Sequence, residues 1–155
     1  MKWLLNHTEV MNAKYWSIEI SVYLLALLLI VTAGSKIADL DKFAGQITNQ
    51  PFDNRFTDFL TYGVPAVEII LVIGLLCPPT RLFGLYGTAV LLTIFTIYIA
   101  LVTFNFYDRV PCGCAFAFEK LSWPQHLMIN LFFTLLSYFA IIMINQTKFN
   151  TISKT

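Results

Sequence analysis

Four long stretches of the chain are predominantly apolar. They run from about Trp16 to Ile37, Leu60 to Cys77, Leu82 to Phe106 and Trp123 to Ile144. A bilayer core about 30 Å thick is crossed by roughly 20 residues at 1.5 Å rise each, so each run has the length of a membrane-spanning helix. Between the second and third runs, Cys77-Pro78-Pro79-Thr80-Arg81 leaves room only for an antiparallel hairpin. The pattern predicts an all-α fold, a four-helix transmembrane bundle with both termini on one side. Local signals agree. Lys14, Tyr15 and Trp16 open the first run as a basic and aromatic interfacial anchor. Ser122-Trp123-Pro124-Gln125 fits a capping box at the start of the fourth, with Pro124 in the first turn, where the amide has no intrahelical acceptor.

The connection from 38 to 59 also carries a helical period. Leu40, Phe43 and Ile47 form one apolar set and Phe52, Phe56 and Phe59 another, with Asn49-Gln50-Pro51 between them. This predicts two short amphipathic helices in the interface between spans one and two, either as apolar anchors or as a lid over the other loop on that face. The first run is longer than a signal-peptide core, and no A-x-A site follows it, so a retained helix is expected.

Composition strengthens the membrane reading. Hydrophobic residues make up 57% of the chain and charged ones 12%, with a mean hydropathy of +0.70. Soluble domains carry about 25% charged residues, and a domain this small has too much surface for so much apolar material to be hidden. The net charge is +1 without a Lys/Arg cluster, which argues against nucleic acid as a partner. No repeat or linker divides the sequence, so residues 1–155 read as a single transmembrane domain. Charge does not orient it. Lys2, Lys14, Arg81, Lys148 and Lys154 fall on the side of the termini, and Lys36, Lys42, Arg55, Arg109 and Lys120 on the other. The positive-inside rule is left with a tie.

The second long connection holds Val110-Pro111-Cys112-Gly113-Cys114-Ala115-Phe116. Cysteines two residues apart come within disulfide reach when the glycine between them admits the strained backbone of so small a ring. Closing a tiny loop removes little chain entropy, so the bond would be a poor staple; strain makes it easily reduced, which suits redox exchange. Free thiols and a two-thiolate copper site are the other readings. Zinc is disfavoured, because the third cysteine, Cys77, lies at the opposite face, and no metal is assigned. A redox pair belongs in an oxidising compartment. If the pair is redox-active, the Cys-Gly-Cys loop lies in the periplasm and the termini in the cytoplasm.

Polar residues inside the spans are functional candidates. Glu68 lies about two turns into the second run, three residues after Pro65, and Asn130 about two turns into the fourth, at similar depth. His126, Asn130, Thr134 and Ser137 follow one another at helical spacing and form a polar face that should point inward. Lys36 ends the first run and either reaches down to Glu68 or snorkels to the headgroups. A structural ion pair, interhelical glue at Asn130 and backbone-satisfied hydroxyls at Thr134 and Ser137 are the plain readings. Proton handling at Glu68 and thiolate stabilisation by His126 are the sharper ones. Glu19, near the other end of the first run, is expected to be wetted. Gly84, Gly87 and Thr88 should let the third helix approach a neighbour closely.

Taken together, Ala33-Gly34-Ser35-Lys36, Pro65-Ala66-Val67-Glu68, Cys112-Gly113-Cys114 and the Trp123, His126, Asn130 series resemble the MauE/DoxX family of small redox-associated four-helix membrane proteins, over about residues 15 to 145. The cysteine pair followed by Trp-x-x-His-x-x-x-Asn is the most specific part. The resemblance implies an inner-membrane protein tied to redox maturation of exported proteins. MauE is linked to disulfide formation in methylamine dehydrogenase, and DoxX relatives to quinone-coupled sulfur oxidation. The bundle is also similar in outline to vitamin K epoxide reductase, with a different thiol motif. Many relatives have a glycine soon after the cysteines, whereas Ala115-Phe116-Ala117-Phe118 makes this loop more apolar.

The expected function is thus a membrane thiol-disulfide redox protein or its accessory subunit. Cys112 and Cys114 would exchange with a periplasmic thioredoxin-like or other exported partner, or with a quinone as cofactor, and Lys36, Glu68, His126 and Asn130 would line the cavity below. The competing classes are a non-catalytic subunit scaffolding a larger membrane complex and a carrier of a small hydrophobic molecule.

Overall fold

A computed structural model describes the backbone of residues 2–49, 54–104 and 122–152 and the side chains of 14–49, 55–104 and 122–147. Every regular element among them is helical. In chain order they are α1 (Lys2–Ala38), α2 (Leu40–Thr48), a 3-10 turn (Asn54–Phe56), α3 (Thr57–Leu76), α4 (Arg81–Thr103) and α5 (Trp123–Ile152). Four segments are long and apolar enough to cross a membrane: Lys14–Ala38, Thr57–Leu76, Arg81–Thr103 and Trp123–Thr147.

The four long helices form a closed ring in which α1 packs on α3, α3 on α4, α4 on α5 and α5 on α1. Each turns one apolar stripe inward and keeps others outside. Val22, Leu25 and Leu29 of α1 meet Leu71 and Leu75 of α3, Leu85, Ala89 and Leu92 of α4, and Ala140 and Ile141 of α5 in one buried core. Tyr23, Leu27, Ile70, Ile73, Val90, Ile97, Leu135 and Ile142 stand exposed on the outer surface. Water would not tolerate so continuous an apolar exterior, but a bilayer does.

The α3–α4 hairpin shows how the sequence sets a close crossing. A Cβ added at Gly84 would stand 2.6 Å from the backbone carbonyl carbon of Gly74, and one added at Gly74 would stand 3.2 Å from the Cα of Gly84. The two glycines let backbone touch backbone. Thr80 Oγ1 donates to Gly74 O at 3.2 Å and Arg81 Nε to Leu75 O at 3.4 Å, which satisfies carbonyls left open by the end of α3. Between α4 and α5, Thr96 Oγ1 and Thr134 Oγ1 lie 2.9 Å apart, Thr93 Oγ1 and Tyr138 OH 3.1 Å, and Asn145 Nδ2 donates to Tyr86 OH at 3.2 Å.

The 38–59 connection holds the two short helical elements expected, but they are unequal. Asp39 caps α2, its Oδ1 accepting from Lys42 N at 3.0 Å, and α2 buries Phe43 and Gln46. The second element is a single 3-10 turn that runs straight into α3, so Phe59 already belongs to the span. At α5, Gln125 Oε1 accepts from Ser122 N at 3.0 Å, one half of the expected capping box.

Candidate functional site

The polar cluster grows from three helices. Lys36 stands in the last turn of α1, and its aliphatic stem keeps the ammonium inside the bundle. Pro65 in α3 has no N–H for the carbonyl of Thr61, an interruption that membrane helices tolerate when neighbours resatisfy the backbone. Glu68 follows three residues later and faces inward. Lys36 Nζ donates to Glu68 Oε1 at 2.6 Å, with the two side chains only 5% and 1% exposed. Lys36 Nζ also donates to Thr32 O at 3.3 Å and lies 5.8 Å from the centroid of the Phe43 ring. The lysine therefore reaches the carboxylate and does not snorkel.

Beside the pair is a cavity of about 430 Å³. Lys36, Glu68, His126 and Asn130 all line it, so the structure brings together residues from α1, α3 and α5 that lie far apart in the chain. The remaining walls are almost wholly apolar and include Leu28, Phe43, Phe59, Phe95 and Phe133. Among the described residues, Glu68 Oε2 and Asn130 Oδ1 are buried without a hydrogen-bond partner. Thr134 and Ser137, lower on the same face of α5, are satisfied: Thr134 Oγ1 bonds Asn130 O at 2.8 Å and Ser137 Oγ bonds Thr134 O at 2.7 Å. Cys112 and Cys114 lie outside the described residues. The backbone leaves the described structure after Phe104 and returns at Ser122, close in sequence to the cavity-lining Ile99 and His126.

The model of the family described as methylamine utilisation protein MauE matches residues 14–144, a stretch that begins with the first span and ends within the fourth. The chain belongs to the MauE family. No curated protein and no solved structure matches it.

Two features of this MauE-family bundle escaped sequence reasoning. Gln46 of α2 is buried and contributes to the cavity wall; its position one turn from Phe43 on the inward face of an amphipathic helix was the available signal. Glu19, expected to be wetted, is instead buried and paired with Arg81, Nη1 to Oε1 at 2.5 Å. The hairpin sets Arg81 at the first turn of α4, facing α1, and the carboxylate is the group that can satisfy it. In the MauE-family chain described here, α1 thus supplies the base of one ion pair near one end of the bundle and the acid of another towards the opposite end.

Proposed function

We propose that this protein is a thiol-disulfide redox protein of the bacterial inner membrane, with its termini in the cytoplasm and its Cys112-Gly113-Cys114 loop in the periplasm. The observation that carries the reading is the clustering of Lys36, Glu68, His126 and Asn130 around one cavity, at the end of the bundle from which the cysteine-bearing connection departs and to which it returns.

In this reading Cys112 and Cys114 exchange with a thioredoxin-like or other exported partner. A thiolate attacks one sulfur of a disulfide, a mixed disulfide forms, and a second thiol resolves it, so one protein gains two thiols while the other gains a disulfide. The same steps run in either direction, as the two potentials dictate. His126, in the first turn of α5, is suited to hold or release the proton of the departing sulfur. A MauE-type role in disulfide formation is consistent with family membership, and nothing in the residues selects methylamine dehydrogenase as the partner.

The test is the redox state of the pair in cells, read by acid quenching, differential alkylation and mass spectrometry. A disulfide that reductant opens is expected. The double variant Cys112→Ala/Cys114→Ala should assemble in the membrane at wild-type levels yet leave the exported partner in the wrong redox state. Unchanged partner oxidation in that variant would sink the proposal and leave the scaffolding subunit as the better reading.

A further inference from the structure

The cavity makes chemical demands of its own, which stand independently of the cysteines. Its volume of about 430 Å³ lies within the usual range of small-molecule sites, about 300–1,000 Å³. Glu68, 1% exposed, spends Oε1 on Lys36 and leaves Oε2 without a hydrogen-bond partner among the described residues. Asn130 Oδ1 is buried and unpartnered beside the same space. A carboxylate paired with an ammonium can only accept hydrogen bonds. Two unmet acceptors on residues that line one cavity are matched by a ligand that carries a donor, an O–H or N–H. An acyl chain would leave both acceptors unmet, and a bare carbonyl would oppose them with a third.

The walls specify the rest of the molecule. Phe43, Phe95 and Phe133 offer ring faces and edges around the polar end. Phe59 of α3 and Ile94 of α4 line the cavity while being 73% and 57% exposed, so the rim between these helices opens toward the hydrocarbon. A ligand arriving by that route must have an apolar body.

We propose that the cavity binds a hydroxyl-headed aromatic amphiphile, a phenol- or quinol-type ring with an alkyl or isoprenoid tail. The ring hydroxyl sits between Glu68 Oε2 and Asn130 Oδ1 and shares its proton with both, the ring packs among the phenylalanines, and the tail leaves past Phe59 and Ile94 into the bilayer. The hydroxyl distinguishes this ligand from the lipid around it.

The experiment uses the full chain in lipid nanodiscs and a 4-alkylphenol with a diazirine in its tail. Crosslinked peptides are mapped and the label is competed with 4-decylphenol or 4-decylanisole, in which a methyl group replaces the donor proton. Labelling should saturate on the first turns of α3 and the second half of α4. The phenol should compete at about tenfold lower concentration than the anisole, the worth of one hydrogen bond to a charged acceptor. Asn130→Leu, which removes no protein hydrogen bond from Oδ1, should keep the helical circular dichroism of the wild type and shrink that ratio to about threefold or less. A decyl-benzoquinol arm distinguishes the sources: stronger competition than the phenol points to a membrane quinol, equal competition to a monohydroxylic phenolic lipid. Equal potency of phenol and anisole, labelling that does not saturate, or a ratio unchanged in Asn130→Leu overturns the assignment.

Discussion

The two oxygens of Glu68 have different surroundings, and so do the predictions they support. Oε1 is held by Lys36 in a site almost closed to solvent. Removing one partner of a buried ion pair strands the other charge, at a cost of about 3–5 kcal/mol, whereas replacing both with apolar groups of similar volume is far better tolerated. Glu68→Leu should therefore lower stability to unfolding in detergent by about 3 kcal/mol, and Lys36→Met/Glu68→Leu should be more stable than the single variant. A double variant weaker than Glu68→Leu would show that the ammonium is not stranded when the carboxylate is lost. Glu68 and Asn130 were legible as candidates because each is a strongly polar side chain inside an apolar run, where lipid gives it no partner. Lys36 was legible as a partner for Glu68 with snorkelling as the alternative, and only the packing of α1 against α3 decides between the two. The same limit explains Glu19: its polarity was visible, but its partner Arg81 comes from the far side of a hairpin.

At the scale of the elements, the α3–α4 crossing gives the sharpest expectation. Gly84→Ala would drive a methyl to 2.6 Å from the backbone of Gly74 and Leu75. Backbone cannot swing aside as a side chain can, so the helices must separate, at a cost of about 1–3 kcal/mol. Gly34→Ala in α1 meets nothing within 4 Å and should leave the unfolding midpoint unchanged or raise it slightly, since glycine is the poorer helix former. Equal effects at the two positions would contradict the crossing. Gly84 was readable from sequence as a small residue suited to close approach, but its facing partner Gly74 was not. Helix ends were less readable than helix centres. Hydropathy marks where lipid lies, while α1 and α5 continue as helices beyond the apolar runs to Lys2 and Ile152. In the 38–59 connection Phe56 and Phe59 keep a helical spacing because the 3-10 turn merges into α3.

For the whole molecule, the hairpin between α3 and α4 carries an exposed native reporter, Cys77, on the side opposite the long connections. The proposed orientation makes a plain prediction. In intact spheroplasts treated with reductant, a membrane-impermeant maleimide should modify Cys112 and Cys114 and spare Cys77 until the membrane is permeabilised. The reverse pattern would invert the protein and remove the oxidising environment on which the redox reading depends. The two ion pairs of α1 also have a mechanical meaning. Lys36 fastens that helix to α3, and Glu19 fastens it to α4, at anchor points separated by roughly 25 Å of helix rise. Sliding α1 lengthwise by one turn would break both fastenings at once, and no nearby rotamer could restore them together. The bundle is therefore a body of fixed height. A thicker or thinner bilayer cannot be accommodated by one helix creeping past its neighbours, and the mismatch must be taken up by tilting the entire protein or by deforming the lipid around it.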